Sequence, residues 1–285
     1  MKEKTTLKSK ILFVVLLILS LAWIYPVFMI LINSFKTDRN ITTRTVFQLP
    51  NADSFAGLSN FVDALTSKGF AKAFGYSLMI TITSVVLILI CCSMCAWFIT
   101  RVNGIISKIL YFLFVFSMVV PFQMLMFTLS STADRLDLNK PYNICIIYLG
   151  FGAGLAVFMF CGFMKSIPLE IEEAAMIDGA SKWQMFMKVT VPLITPVIFF
   201  NFIMQTTQAF QEFTGPYVIT GGGPTYSTYL FSLYIYDTAF KYFDMGYGAA
   251  LAWVLFLVVA VFAAIAFKSS KYWVFYSADK GGKNG

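Results

Sequence analysis

Long apolar runs without a charged side chain constrain this chain more than any other feature of its sequence. Residues 78–98 and 251–267 contain no Asp, Glu, Lys or Arg. A helix needs roughly 20 such residues to cross the hydrocarbon core of a bilayer, and helices can cross it because they satisfy their own backbone hydrogen bonds. Charged residues make up 12% of the chain, about half the share found in an average soluble domain. The sequence therefore predicts a membrane protein.

The distribution of the apolar runs predicts an all-α membrane protein with six transmembrane helices. These runs are residues 11–33, 76–100, 108–130, 143–164, 192–214 and 245–267. The first run follows several lysines and carries Ser20 and Ala22, spaced like a signal-peptide cleavage site. It continues to Ile32, however, beyond the core of a cleaved signal. An uncleaved first span is therefore favoured over a secretory signal.

The basic residues predict the orientation of the spans, because cytoplasmic loops carry an excess of Lys and Arg. Of the 21 Lys and Arg, four lie in residues 1–10, four in residues 268–285 and five in residues 101–108 and 165–191. With six spans, all these segments share one side. We expect both termini to be cytoplasmic, flanking a membrane domain over residues 11–267. The net charge of +7 then reflects membrane orientation and does not predict nucleic-acid binding.

The sequence contains no pattern that predicts catalysis or a metal site. Five cysteines fall inside the predicted spans, and Cys92 and Cys95 form a C-x-x-C, but there is no second pair and no histidine. Small packing residues are the preferred interpretation. The chain also lacks the Gly-rich Lys-Ser/Thr motif that cradles phosphates. We therefore predict no catalytic residue, no metal and no cofactor bound by this chain.

The predicted cytoplasmic loop, residues 165–191, reads as two helices joined by a turn. Ser166 is a plausible N-cap, the following acidic residues suit the positive end of a helix dipole, Gly179 provides a stop, and Ser181 begins a second helix that runs to Pro192. Small alanines allow close approach of a partner. From the residues alone, a docking surface for a partner and an interfacial helix on lipid headgroups both remain open.

The same loop resembles the EAA loop of binding-protein-dependent ABC importer permeases. Its residues Glu173-Ala174-Ala175, Gly179 and Val189-Thr190-Val191-Pro192 follow the pattern EAA-x3-G-x9-I-x-L-P, with valine in place of isoleucine and leucine. The resemblance extends from Tyr25 to Tyr276 and is closest to permeases of the maltose and oligosaccharide type. It implies a type I ABC importer permease fold, with ATPase coupling through Glu173, Ala174, Ala175, Asp178, Gly179 and Pro192.

The resemblance also implies a set of partners. These are a second permease that forms a heterodimer with this chain, a cytoplasmic ABC ATPase dimer that holds ATP and Mg²⁺, an extracellular or periplasmic solute-binding protein, and a sugar substrate. Ser34-Phe35-Lys36 resembles the second of two paired sugar permeases, whereas Gly221-Gly222-Gly223-Pro224 resembles the first. Which half of the pair this chain represents stays open.

Polar side chains in the fifth predicted span are candidates for the substrate path. Asn201, Gln205, Gln208 and Glu212 are spaced to share one helical stripe, and amides both donate to and accept from hydroxyls. Such residues are costly in lipid and usually face a cavity or another helix. Hydrogen bonding to the partner permease is the alternative. Gln123 is a weaker candidate, and Glu212 could instead pair with a basic residue or lie near the headgroups.

The predicted external loop, residues 215–243, begins with a glycine-rich turn. By resemblance, Gly221, Gly222, Gly223 and Pro224 contact the solute-binding protein. The alternative is a surface turn followed by an interfacial helix with aromatic anchors.

Three other functions remain as alternatives. An ion-coupled secondary transporter would normally show inverted repeats, and none is visible. A membrane enzyme would need clustered carboxylates, histidines or a nucleophile. An importer permease for a non-sugar solute also stays open.

Overall fold

The computed structural model describes residues 7–37, 39, 41, 46–223 and 225–275. Within these ranges the regular elements are helices, apart from one isolated bridge between Lys36 and Phe55. The α-helices are α1 (Leu7–Asn33), α2 (Ser59–Thr66), α3 (Lys68–Arg101), α4 (Ile105–Ser117), α5 (Phe122–Arg135), α6 (Ile144–Met164), α7 (Leu169–Ile177), α8 (Lys182–Leu193), α9 (Thr195–Gln211), α10 (Phe231–Tyr236) and α11 (Met245–Trp273). Two short π-helical segments, Pro216–Thr220 and Asp237–Lys241, lie outside them. Residues 1–6 of the predicted N-terminal segment, Pro224, and residues 276–285 of the predicted tail lie outside the described residues.

Four helices are long and apolar enough to cross a membrane, namely α1, α3, α6 and α11. At about 1.5 Å rise per residue, even α6, with 21 residues, reaches the roughly 30 Å of a hydrocarbon core. Two bent pairs, α4 with α5 and α8 with α9, also pass the test when each pair is taken as one span. The described chain therefore has four to six candidate spans. Its all-helical character is as predicted.

Two of the predicted spans are not continuous helices. Residues 108–130 divide into α4 and α5, which bend by 106° at a break before Pro121, and residues 192–214 begin where α8 and α9 bend by 73°. Proline has no backbone N–H to donate, and its ring disfavours the helical conformation of the residue before it. Pro121 accordingly stands as the N-cap of α5, with φ −65° and ψ 139°. An apolar run in the sequence reflects composition only, so it does not reveal where a helix bends.

The chain forms two compact units, one of Met1–Ala71 with Tyr234–Leu257 and the other of Lys72–Leu233 with Val258–Gly285. In the first unit, Lys36 is only 3% exposed. Its ammonium donates to Asn33 Oδ1 at 2.7 Å and to the Val46 carbonyl at 3.2 Å. Burial lowers the pKa of Lys36 below its ordinary value. The Asn60 amide donates to the carbonyl groups of Ser34 and Lys36. Hydrogen bonds therefore hold both the side chain and the backbone of Lys36.

The second unit is built around α6, whose small residues allow close packing. Its fully buried side chains Val157 and Phe160 pack with Ile194, at the start of α9, in one core cluster. At Gly154, a Cβ atom would lie 2.7 Å from Ser117 Oγ and 3.0 Å from the Phe114 carbonyl oxygen. The absence of a side chain therefore lets α4 approach the backbone of α6, as small residues do between membrane helices.

The end of α11 packs against α9 in the same unit. The Phe199 ring lies 5.1 Å from that of Phe267 and 5.7 Å from that of Trp273, in edge-to-face geometry. This contact holds the last turns of α11 beside the first turns of α9.

Candidate functional site

The first part of the site is the EAA hairpin, defined as residues 169–193 and made of α7, α8 and the turn between them. The predicted N-cap is wrong: α7 begins after Pro168, which has no side chain able to cap it. The Ser166 hydroxyl instead donates back to the Phe163 carbonyl at 2.7 Å. Since this hydroxyl belongs to the last turn of the preceding segment, it does not reach the N–H groups of α7.

The predicted turn and second helix of the hairpin are confirmed. Gly179 has φ +83°, a left-handed conformation in which L side chains are strained. Ser181 then caps α8, because its hydroxyl accepts from the Gln184 backbone N–H while the Gln184 side chain accepts from the Ser181 N–H. Such reciprocal capping stabilises a helix start. A π-helical turn, Phe186–Thr190, lies within α8, and Pro192 lies exposed in its last turn.

The outer face of the hairpin carries most of the residues predicted to couple to an ATPase. Glu173, Ala174 and Asp178 are exposed, and Ala175 is half-buried. Beside them, Ile177 is 87% exposed. Contiguous exposed apolar area is typical of contact surfaces, and beside these small and acidic residues it is supplied by Met176 and Ile177.

Glu172, next to the predicted coupling residues, points into the fold. It is 2% exposed, and its Oε2 lies 3.0 Å from Arg101 Nε at the end of α3. Its Oε1 accepts from the Thr190 hydroxyl at 2.8 Å. Removing one partner of a buried ion pair costs about 3–5 kcal/mol because the other charge stays buried.

The sequence-based interpretation missed this ion pair, treating Glu172 only as one acid of a dipole-stabilised first turn. The available signal was helical geometry. Neighbouring residues of a helix point about 100° apart, so Glu172 and Glu173 cannot serve the same face. The partner, Arg101, is 71 residues away in the chain, and its pairing could not be read from the sequence.

The second part of the site is a cavity of about 80 Å³ in the second unit, which we call the polar cavity because five polar side chains reach its largely apolar wall. Residues of α3, α6 and α9 and of the segments after α9 line it: Ile80, Ser84, Val85, Ile88, Tyr148, Phe151, Gly152, Gln205, Gln208, Ala209, Glu212 and Leu230. Pockets that enclose a drug-sized ligand measure roughly 300–1,000 Å³. In this state the cavity therefore cannot enclose an oligosaccharide.

The structure brings together three of the five residues predicted for the substrate path. Gln205, Gln208 and Glu212 line the polar cavity. Asn201 is buried, but its amide donates to the Val197 carbonyl of its own helix at 3.0 Å. Gln123 is exposed at the start of α5. Neither of these two is among the residues that line the cavity.

The predicted helical stripe does not extend to Glu212. Helix α9 ends at Gln211, and Glu212 has an extended backbone with ψ 116°. Its Oε1 accepts from the Gly215 N–H at 2.7 Å. The carboxylate therefore closes the turn after α9 while remaining part of the cavity wall.

The sequence analysis did not identify two hydroxyl groups of the cavity wall. The Ser84 and Tyr148 hydroxyls are buried and have no hydrogen-bond partner in the part of the chain that the structure describes. Buried polar groups are normally paired, so these two hydroxyls leave unused hydrogen-bonding capacity at the cavity wall. Serine and tyrosine in apolar runs carry no signal of their own, which is why sequence reasoning passed over them.

Gly152 allows Gln205 to approach the wall of the cavity. The Gln205 amide donates to the Gly152 carbonyl at 3.2 Å. A Cβ at Gly152 would lie 2.8 Å from Gln205 Oε1 and 2.6 Å from Ile88 Cδ1. The missing side chain thus sets the position of the amide.

The glycine-rich turn is ordered by its own contacts. Gly221 and Gly222 have positive φ angles of 56° and 83°, and a Cβ at Gly222 would lie 2.7 Å from the Tyr229 ring. Gly221 is exposed, Gly222 is buried and Gly223 is half-buried. Of the three described glycines predicted to contact a binding protein, only Gly221 and, in part, Gly223 are therefore accessible.

By its long apolar helices, the chain is a multi-pass α-helical membrane protein. It belongs to the family of binding-protein-dependent transport system inner membrane components, whose model matches residues 89–269. The resemblance derived from the EAA loop is thereby confirmed, and the chain is an inner-membrane permease component of ABC transporters.

Similar proteins include the probable starch degradation products transport system permease protein AmyC of Thermoanaerobacterium thermosulfurigenes. It is 30% identical over 248 residues, which cover 87% of this chain and 89% of that protein. The probable ABC transporter permease protein YesP of Bacillus subtilis strain 168 is 46% identical over 132 residues, but the match spans only 46% of this chain and 42% of that protein.

The fold is similar to that of a chain in the crystal structure of a bacterial ABC transporter involved in the import of the acidic polysaccharide alginate. The TM-score is 0.73 at 20% identity, over 96% of this chain and 99% of that chain. At this identity the likeness concerns the fold.

Proposed function

We propose that this chain is the membrane permease subunit of an ATP-driven sugar importer and that it performs no catalysis itself. ATP and Mg²⁺ would be held by a separate ATPase dimer, and movement of that dimer would reach the permease through the EAA hairpin. The observation that carries the proposal is the two-faced α7. It turns Glu173 and Ala174 outward while Glu172 is held inside by Arg101.

The outward face has the properties of a protein-docking surface. Ala174 leaves room for close backbone approach, Glu173 offers a carboxylate to an arginine, and Ile177 supplies apolar area. An anionic lipid surface would repel the exposed acids, which favours a protein partner over headgroups.

A sugar as substrate is supported by the chemistry of the polar cavity. Amides at Gln205 and Gln208 and hydroxyls at Ser84 and Tyr148 both donate and accept, as the hydroxyls of a sugar require. The relative AmyC, named for starch degradation products, supports the same class. Because the cavity measures only about 80 Å³, a sugar could pass only after these walls separate.

The remaining parts of the proposal follow from the assembly that such importers need. A second permease would complete the translocation path as a heterodimer, and a solute-binding protein would deliver sugar near the exposed Gly221. We infer six spans, counting each bent pair as one, with both termini in the cytoplasm on the side of the EAA hairpin.

Affinity purification of the chain from its native membrane tests the assembly. We expect an ATPase, a second permease and a sugar-binding protein to be recovered with it, and the ligand of the binding protein would name the substrate. Recovery of the chain alone, with uptake after reconstitution driven by an ion gradient and insensitive to ATP depletion, would refute the proposal and indicate a secondary transporter.

The docking surface is tested at one position with two substitutions. Ala174→Lys places a long charged side chain on the outer face, whereas Ala174→Ser keeps the residue small. We expect Ala174→Lys to abolish uptake and release the ATPase, with normal amounts of permease in the membrane, and Ala174→Ser to retain both. Uptake by Ala174→Lys equal to that of Ala174→Ser would show that no ATPase docks here.

A further inference from the structure

We propose that the ion pair between Arg101 and Glu172 transmits movement of the EAA hairpin to α3 and so to one wall of the polar cavity. Both would be positioning residues for transport. The inference rests on the proposed docking of an ATPase on the hairpin, and it adds the route by which that docking reaches the cavity.

The contacts of Glu172 join three helices at one buried point. Arg101 Nε of α3 donates to Oε2 of Glu172 in α7 at 3.0 Å. Thr190 of α8 donates to the other carboxylate oxygen at 2.8 Å. The Arg101 guanidinium also donates to the Ile167 carbonyl, just before α7, at 3.4 Å. The side chains of Arg101 and Glu172 are 12% and 3% exposed, so water does not screen the pair.

An aromatic contact lies beside the ion pair. The ring of Trp97, one turn before Arg101 on the same face of α3, lies 5.6 Å from that of Phe186 in α8. Helix α3 thus touches both helices of the hairpin, through a charged contact and an apolar one.

The contacts at Arg101–Glu172 and Trp97–Phe186, which we call the joint, matter because the three helices of the cavity wall connect to the hairpin in different ways. Helices α6 and α9 are continuous with the hairpin in the chain, since Met164 precedes it and Thr195 follows it closely. Helix α3 has no such covalent link. It packs along α6 through Ile88 and Ala96, and the contacts at Arg101 and Trp97 join it directly to the hairpin.

Helix α3 is suited to pass that movement on. It runs without a break from Lys68 to Arg101 and supplies Ile80, Ser84, Val85 and Ile88 to the polar cavity. Ser84 lies about 25 Å along the helix axis from Arg101, at 1.5 Å per residue. If the joint were lost, α3 would follow the hairpin only indirectly, through its packing against α6.

An ion pair serves such a joint better than apolar packing. A buried pair stabilises a fold no more than apolar residues of the same volume would. Its hydrogen bonds, however, require fixed geometry, whereas apolar side chains can slide. The two contacts of the Glu172 carboxylate therefore hold the hairpin and α3 in one orientation.

The test uses the complex that purifies with this chain, reconstituted into lipid nanodiscs, with Ser84→Cys as a reporter of the cavity wall. Labelling by N-ethylmaleimide is timed with and without ATP plus orthovanadate, and labelling of the native cysteines is subtracted using the complex without Ser84→Cys. We expect nucleotide to change the labelling rate several-fold. Arg101→Gln and Glu172→Gln should strongly reduce this change while the ATPase stays bound and hydrolyses ATP.

Two further variants separate coupling from general damage. Glu170→Gln neutralises an exposed acid on the same helix and should keep the full nucleotide response. The exchange Arg101→Glu with Glu172→Arg should restore part of the response that each single substitution removes. An equal response in Glu172→Gln and Glu170→Gln would overturn the inference.

A second measurement leaves the ion pair intact and so does not depend on the folding of the variants. Spin labels on unnatural amino acids replace the exposed residues Val102 and Lys182, and their separation is measured by pulsed electron paramagnetic resonance. We expect the same separation with and without ATP plus orthovanadate. A changed separation, under conditions where Ser84→Cys responds, would show that the joint is not rigid and would overturn the inference.

Different results would refute the proposed function and the proposed joint. If no ATPase purifies with the unmodified chain, the proposed function is wrong and this inference falls with it. If the unmodified complex and Glu170→Gln respond to nucleotide, and Arg101→Gln and Glu172→Gln respond equally, the proposed function stands and only the joint is refuted.

Discussion

Gly154→Ala should destabilise this protein although alanine is the better helix former. Gly154 lies in the middle of α6, where a Cβ would meet Ser117 Oγ at 2.7 Å, Met118 Cγ at 2.9 Å and the Phe114 carbonyl oxygen at 3.0 Å. The first two atoms belong to side chains that can move. The third belongs to the backbone of α4, so the two helices would have to separate.

The magnitude follows from two opposing terms. Alanine in place of glycine favours a helix by about 1 kcal/mol, and overpacking a close contact costs about 1–3 kcal/mol. The net free energy of unfolding should therefore fall by up to roughly 2 kcal/mol. Gly150 and Gly162 lie in the same helix, and a Cβ at either would meet nothing within 4 Å. Their alanine variants gain the helix term alone.

The comparison within α6 isolates the steric term. Thermal stability of the detergent-solubilised complex is measured by size-exclusion chromatography after heating. At about 2–4 °C per kcal/mol for a chain of this size, Gly154→Ala should melt roughly 2–12 °C below Gly162→Ala. Equal melting temperatures for the two variants would refute the argument that α4 and α6 meet at Gly154.

Three further substitutions test other parts of the structure. Gly152→Ala should displace the Gln205 amide and raise the substrate concentration for half-maximal uptake several-fold, measured as initial uptake rates. Asn60→Ala should lower the free energy of unfolding by about 1–3 kcal/mol because two buried carbonyl groups lose their donor, measured by thermal stability. Glu212→Gln should keep uptake near the unmodified rate, because an amide oxygen can still accept from the Gly215 N–H.

Each of these has an outcome that would contradict it. Uptake kinetics of Gly152→Ala identical to those of Gly150→Ala would mean that Gln205 does not contact the solute. For Asn60→Ala the control is Ser59→Ala, which loses an exposed hydrogen bond and should change stability by less than about 0.5 kcal/mol. Loss of uptake in Glu212→Gln, together with loss of dependence on external pH, would favour a proton-coupled carrier.

Composition and local patterns were enough to predict the helices, because lipid leaves a long uncharged segment few alternatives. The helical class, the four long spans and the two-helix hairpin around Gly179 and Ser181 all follow from residues close together in the chain. The helix starting at Ser181 depends only on a hydroxyl and an amide three residues apart, which interact within one turn.

The bends were not predictable to the same degree. Pro121 and Pro196 are visible in the sequence, but apolar runs continue across both breaks, and hydropathy contains no information on direction. The angles of 106° and 73° depend on how the following helices pack.

The candidate site, too, was only partly predictable from the sequence. The spacing of Gln205 and Gln208 was enough to place both on one face of α9, because helical periodicity is local. The cavity wall opposite them comes from α3 and α6, so Ser84, Tyr148 and Gly152 became visible only when those helices packed together.

The acidic residues of the EAA hairpin show most directly why the sequence alone could not predict the whole site. The sequence by itself determined that Glu172 and Glu173 lie on a helix and, being adjacent, face different directions. Which one would be buried depended on where Arg101 lies, and that position is decided by the packing of α3 against α8. A charge enters the interior only where its partner is already in place, and only the tertiary structure brings residues 71 positions apart to within hydrogen-bonding distance.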